Sequence, residues 1–179
     1  PLYIRSLAST IRAGVAAMTG DDAEPIHLLF TPHGLPVSWV TKRGDPYPDQ
    51  IRASVRAVIQ ELNWEGPWSM GWQSRVGPVQ WLVPGTDTVL QDLGKAGAKR
   101  VCMVPISFAS EHIETLHEID IEYAEIAHKA GITHYGRAPA LGTDADFIAA
   151  LADRVRDAMR SRPKMPCVRC LQPKDEAWR

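Results

Sequence analysis

Arg100-Val101-Cys102-Met103-Val104-Pro105-Ile106, residues 100–106, is the stretch that decides the fold. Its apolar residues continue without the polar/apolar alternation of a strand that has one wet face, so it predicts a strand buried on both sides. Working outward, residues 26–30 (Ile-His-Leu-Leu-Phe) are apolar at every position but His27, and Thr31-Pro32-His33-Gly34 halts them. Residues 68–72 and 132–137 predict two more strands. Helical spacing fills the intervals. Residues 4–18 place Ile4, Leu7, Ile11 and Val15 near one face, and residues 50–62 turn Ile51, Val55, Val58 and Ile59 inward. Pro46 and Pro48 suit the start of that second helix, because first-turn amides have no intrahelical acceptor. Residues 86–96, 111–130 (stopped by Gly131) and 144–160 (apolar at Phe147, Ile148, Leu151, Val155 and Met159) complete the set. Alternating strands and helices predict an α/β fold: a parallel sheet of about four strands with helices on both faces.

At 179 residues the chain fits one domain of ordinary size. We assign it to residues 1–162, followed by a tail, 163–179, that holds three prolines and no periodicity. A 45% hydrophobic and 23% charged composition reads as soluble and globular. The net charge of −1 gives no reason to expect nucleic acid as a partner. No apolar run approaches the ~20 residues a membrane span needs. No basic segment followed by an apolar one opens the chain, so no secretory signal is read. Pro1-Leu2-Tyr3 carries no initiator Met and runs straight into a helical pattern, which predicts that upstream sequence is missing. Of the three cysteines, Cys102 lies in the strand at 100–106, and Cys167 and Cys170 form a Cys-x-x-Cys in the tail. That is no disulfide framework, and it points to a reducing cytoplasm.

Ligands of parallel α/β sheets bind beyond the carboxyl ends of the strands. The loops there are residues 31–48, 73–84 and 107–112. Glu114, Glu118 and Glu122 follow the third loop at i, i+4 and i+8, with Asp120, His112 and His117 close by. Like charges at that spacing cost a helix a few tenths of a kcal/mol per pair. No Lys or Arg occurs between Glu111 and Ala127 to neutralise them. The row is a solvated face, a site for a divalent cation of borderline hardness such as ferrous iron, or a proton relay. His33, held between Pro32 and Gly34, is either structural or a proton acceptor, since an ordinary imidazole titrates at about 6.5. His27, inside its strand, reads as a core histidine with a hydrogen-bond partner. Trp72-Gln73-Ser74-Arg75, with Trp81 beyond, can stack on a flat aromatic ligand and pair with its carboxylate. The competing reading puts Trp68, Trp72 and Trp81 in the core, and for Trp72 that is the one we adopt.

Four strings then carry a resemblance. They are Pro32-His33-Gly34-Leu35-Pro36 with Gly44-Asp45-Pro46-Tyr47-Pro48; Trp72-Gln73-Ser74-Arg75-Val76-Gly77-Pro78 with Trp81 and Pro84; Val104-Pro105-Ile106-Ser107-Phe108; and His112-Ile113-Glu114-Thr115-Leu116 running into Glu118-Ile119-Asp120-Ile121-Glu122-Tyr123. In this order, over about residues 1–160, they resemble the C-terminal half of ferrochelatases, a family with two similar chelatase-like, Rossmann-like α/β halves and a porphyrin cleft between them. The resemblance implies a lyase-type metal chelatase inserting ferrous iron into protoporphyrin IX, the last step of haem biosynthesis, with the N-terminal half of the same enzyme as partner. It implies His33 and Glu114 as the catalytic pair, and His33, Glu114, Glu118 and Glu122 as groups that meet the metal. Ser74, Trp81, Phe108 and His112 would contact porphyrin, and the acidic helix would include a π-helical stretch. Iron is a substrate and no cofactor is required for the chemistry, consistent with the absence of a phosphate-binding Gly-x-x-x-x-Gly-Lys-Ser/Thr loop. Some ferrochelatases carry a [2Fe–2S] cluster. Cys167 and Cys170 look like the start of its ligand set, or half of a zinc site, but the set is incomplete here. The alternatives are a coproporphyrin III ferrochelatase, a cobalt or nickel chelatase, and a non-catalytic porphyrin- or haem-binding half-domain. The location implied is cytoplasmic, with peripheral attachment to the inner membrane left open.

Overall fold

The computed structural model describes residues 1–18, 24–74 and 77–161. Strands β1 (Ile26–Phe30), β2 (Trp68–Met70), β3 (Arg100–Val104) and β4 (His134–Arg137) form one sheet in the order β2-β1-β3-β4. Every neighbouring pair is parallel, and β1 and β3 match over their full length, Ile26 to Arg100 through Phe30 to Val104. Apart from His27 and Arg100, the two central strands are apolar because each side chain has a core to enter. Leu28, Phe30, Cys102 and Val104 pack with α1 (Leu2–Ala17) and α3 (Tyr47–Leu62). Leu29, Val101 and Met103 point the other way, onto Leu90 of α4 (Thr86–Lys95) and Ile119 and Ala127 beyond β3. Helices thus cover both faces, and α6 (Ala145–Ser161) lies against α1.

Two features depart from the sequence-based expectation, and a third is the π-helical stretch that the resemblance implied. Helix α2 (Val37–Arg43) sits inside the stretch read as a loop at 31–48. It has no buried residue and therefore no apolar period to announce it, and Gly44 ends it at φ +67°. Second, β2 stops at Met70, and Trp68 and Trp72 part company. Trp72 is 1% exposed and core, whereas Trp68, on the edge strand, is 44% exposed and meets Phe30 edge-on. Third, the helix expected over 111–130 is a π-helix over Glu114–Tyr123 followed by α5 (Ala124–Lys129). Its buried anchors Thr115, Ile119 and Tyr123 are spaced strictly by four. A spacing of four lies between the 3.6 residues per turn of an α-helix and the wider i→i+5 winding seen here, a form found mostly at functional sites.

Helix α4 reaches that segment through Gly94. A Cβ there would stand 2.3 Å from the Ala130 carbonyl oxygen and 2.5 Å from the Ala130 Cβ. Gly94→Ala is expected to destabilise the fold by about 1–3 kcal/mol through overpacking, outweighing the about 1 kcal/mol of helix propensity that alanine adds. The midpoint of urea unfolding measures the balance, and an unshifted midpoint would mean that α4 slides at no cost.

Candidate functional site

Because the strands are parallel, the chain leaves β1, β2 and β3 along one edge of the sheet, and their following segments meet there. The meeting is enforced from below by buried polar groups. Thr31 Oγ1 donates to Gln73 Oε1 at 2.9 Å and lies 2.9 Å from the Thr86 hydroxyl, all three residues being fully buried. Above them the Gln73 amide donates to the Pro32 carbonyl at 3.0 Å and the Gly34 amide to the Gln73 carbonyl at 2.9 Å. The segment that carries His33 is therefore stitched to the one that carries Ser74.

Three elements fix His33. Its amide donates to Ser107 Oγ at 3.0 Å, its carbonyl accepts from the Tyr47 hydroxyl at 3.0 Å, and its Nδ1 lies 3.1 Å from Glu114 Oε2. The imidazole and the carboxylate remain 40% and 33% exposed, so the pair is open to a ligand. A carboxylate only accepts, so Nδ1 carries the proton and, in the neutral ring, Nε2 keeps a bare lone pair. Phe108 lies edge-on between two imidazoles, with ring centres 6.4 Å from His33 and 4.9 Å from His112. The Glu114 amide, one of the donors left over at a helix start, donates to His112 Nδ1 at 3.1 Å. That fixes His112 with its proton on Nε2. Trp81 closes the group. Its backbone bridges Pro36, and its ring comes within 3.5 Å of the point where a Cβ on Gly34 would stand.

The other acids are sorted into separate environments. Glu118 accepts four hydrogen bonds: Ser74 N at 3.0 Å, Ser74 Oγ at 2.7 Å, Gln73 Nε2 at 3.3 Å and Tyr123 OH at 2.6 Å. That fills the roughly four lone-pair positions of a carboxylate. Ser74 adopts φ +60°, a conformation costing a side chain about 1–3 kcal/mol, and its two bonds to Glu118 hold it there. Burial, reinforced by the bond to Glu118, pushes the Tyr123 hydroxyl far above its ordinary range, so it acts as a donor. Glu122 pairs with His117 at 3.3 Å. Asp120 and Glu111 turn away to the Arg137 guanidinium, at 2.6 Å and 2.9 Å. Burial alone would raise the Glu111 carboxyl; bonds from the Ala140 amide, the Thr115 hydroxyl and Arg137 outweigh it and hold it low. Among the described residues no three His, Cys, Asp or Glu side chains come together as a metal cage.

The family model for ferrochelatase matches residues 1–159. The chain belongs to the ferrochelatase family. It is 45% identical over 159 residues to the ferrochelatase of Synechococcus sp. (strain RCC307), covering 89% of this chain and 41% of that one. The Nostoc sp. ferrochelatase is 47% identical over 159 residues, with 89% and 40% covered. Ferrochelatase-1 of Arabidopsis thaliana, chloroplastic/mitochondrial, is 45% identical over 166 residues, with 91% and 35% covered. The chain thus spans about two fifths of the length of the ferrochelatases it matches. A solved structure described as a cobalamin (vitamin B12) biosynthesis CbiX protein, from Marinobacter aquaeolei VT8, superposes with a TM-score of 0.53 at 14% identity. It covers 76% of this chain and 99% of that one, a likeness of fold.

Within this ferrochelatase-family chain, His33, Glu114, Phe108, His112 and Trp81 are brought together, and Ser74 and Glu118 form a neighbouring pair. His117 is engaged with Glu122, and Asp120 is drawn off by Arg137. His27 is half-buried with its Nε2 2.9 Å from Ser69 Oγ, and burial lowers its pKa, as a core histidine requires. Arg75, Cys167 and Cys170 lie outside the described residues. Four supporting side chains were assigned no role from the sequence: Tyr47, Ser107, Tyr123 and Arg137. The first three fall inside the strings that carry the resemblance; Arg137 had no signal.

Proposed function

We propose that this chain supplies the reactive face of a ferrochelatase that inserts ferrous iron into protoporphyrin IX to form protohaem. The observation that carries the reading is the His33–Glu114 pair, hydrogen-bonded at 3.1 Å and partly exposed, with Phe108 and His112 beside it and the Trp81 ring near Gly34. A flat macrocycle needs aromatic walls, and metallation releases two pyrrole protons that need an acceptor. His33 Nε2 accepts them one at a time, releasing the first to solvent before the second leaves, and Glu114 opposes the positive charge the ring gains each time. Imidazole and carboxylate together suit a divalent ion of borderline hardness such as ferrous iron, which enters as substrate and is not retained. Glu122, beyond the saturated Glu118, extends the anionic line away from the pair. Ser74, with its hydroxyl committed to Glu118, contacts porphyrin chiefly by fixing the neighbouring wall.

The partner is the remainder of a longer ferrochelatase. The site faces outward, the matched relatives are more than twice as long, and α6 leaves Ile148, Leu151, Val155 and Met159 exposed along one stripe. Among the described residues no helix is long and apolar enough to cross a membrane. A cytoplasmic enzyme, peripheral at most to the inner membrane, is the location we propose. The test is anaerobic incubation of the intact protein with protoporphyrin and ferrous iron, or with zinc as a fluorescent surrogate. Loss of free-porphyrin fluorescence with appearance of the metalloporphyrin spectrum is expected. Tight porphyrin binding without metallation would instead make this a binding module.

A further inference from the structure

We infer that Arg137 is a positioning residue that holds the π-helix at the height where Glu114 meets His33, an inference that rests on the metallation reading above. Arg137 is the last residue of β4, paired in register with Met103 of β3 and so anchored on the sheet. Its guanidinium grips Asp120 with two parallel bonds, Nε to Oδ1 at 2.6 Å and Nη2 to Oδ2 at 3.0 Å, while Nη1 donates to Glu111 Oε1 at 2.9 Å. Glu111 precedes Glu114 by three residues and Asp120 follows it by six, so one side chain brackets the reactive turn from both ends. Glu111 is held in turn by the Ala140 amide at 2.9 Å, and the adjacent Tyr135 hydroxyl donates to the Ile119 carbonyl at 2.6 Å. The end of the sheet thus ties the π-helix at Ile119 and Asp120, and the segment entering it at Glu111.

Such a tie is needed because π-helical winding is rare and occurs mostly as short stretches at functional sites. The Arg137 side chain is only 13% exposed, so its charge-assisted fork escapes most of the screening that weakens surface pairs. Lysine cannot reproduce it, having one point charge where the site demands a planar fork reaching two carboxylates. Neither Arg137 nor its two partners is among the groups assigned to the reacting atoms. The residue acts through the placement of Glu114.

The experiment compares Arg137→Gln, Arg137→Lys, Asp120→Asn and the double variant Arg137→Gln/Asp120→Asn in the intact protein. Hydrogen exchange of the amides over 114–123 is expected to speed up about tenfold or more in Arg137→Gln, with α1 and α3 unchanged. For metal insertion, kcat is expected to fall about tenfold with porphyrin KM within about twofold, the signature of a displaced reacting group. Lysine should recover part of both losses. The double variant should lose no more than Arg137→Gln alone, because the two residues act as one unit. Unchanged exchange over 114–123 overturns the inference. So does a kcat loss accompanied by equal loosening of α1 and α3, which would make Arg137 a general stabiliser. A wild-type protein that binds but never metallates porphyrin would defeat the proposed function, and the exchange measurement would still decide the tie.

Discussion

Glu114→Gln is expected to slow metal insertion by about 10²–10⁴-fold while leaving the fold and porphyrin affinity in place. Glutamine has the same shape and can still accept the His33 Nδ1 proton through its amide oxygen, so the 3.1 Å contact survives. What disappears is the negative charge. When Nε2 takes a pyrrole proton the ring becomes an imidazolium, and without the carboxylate nothing in contact with it offsets that charge. The loss therefore falls on kcat, because the neutral ring of the resting complex needs the charge far less than the ring that has accepted a proton. His33→Ala should be equally severe for the complementary reason that the acceptor itself is gone. Initial rates of zinc insertion by fluorescence, beside porphyrin dissociation constants, check both. Turnover unchanged in either variant would remove that residue from the mechanism.

The sheet was legible because its central strands are buried on both faces, which makes Leu28–Phe30 and Val101–Val104 apolar at consecutive positions, and few other structures need that. His33 was legible because it closely follows β1, and the Glu114 row because it opens the helix that comes after β3. Helix α2 was not, since an exposed seven-residue helix leaves no apolar rhythm. The π-helix was half-visible. The spacing of four in Glu114, Glu118 and Glu122, echoed by Thr115, Ile119 and Tyr123, departs from 3.6 and asks for wider winding, but taken alone it also reads as one face of an ordinary helix. The fates of the individual acids could not be read at all. Whether a carboxylate faces His33, four neutral donors or a guanidinium depends on which loop arrives opposite it. Ser74 is 44 residues away in sequence from Glu118, and Arg137 is 17 from Asp120. The lack of Lys or Arg within the helix suggested an unneutralised acidic segment, whereas the row's neighbours Asp120 and Glu111 are paired with an arginine contributed by a strand.

Gly34→Ala is the sharper test of how rigidly the pair must be held. The added Cβ would stand 2.7 Å from the Gln73 carbonyl oxygen, a separation that real side chains do not tolerate. Gln73 cannot yield. The Gln73 amide is bonded to Pro32, its side chain is locked to Thr31 beneath, and its carbonyl already receives the Gly34 amide. The segment holding His33 must therefore lift off, breaking the 2.9 Å bond from Gly34 and moving the imidazole away from Glu114. Displacing a reacting group by about 1 Å can cost 10²-fold in rate, and the overpacking itself should cost about 1–3 kcal/mol of stability. Gly44→Ala separates the two effects. That position has nothing within 4 Å of the new Cβ but sits at φ +67°, so alanine pays roughly 1–2 kcal/mol for the left-handed backbone. A comparable loss of stability at Gly44 with turnover retained, against a hundredfold loss at Gly34, is the expected pair of results, measured by thermal unfolding and zinc insertion on the same preparations. Equal turnover in the two variants would mean that the His33 segment tolerates displacement, and that the stitching between the Pro32-His33-Gly34 and Gln73-Ser74 segments is structural rather than a determinant of rate.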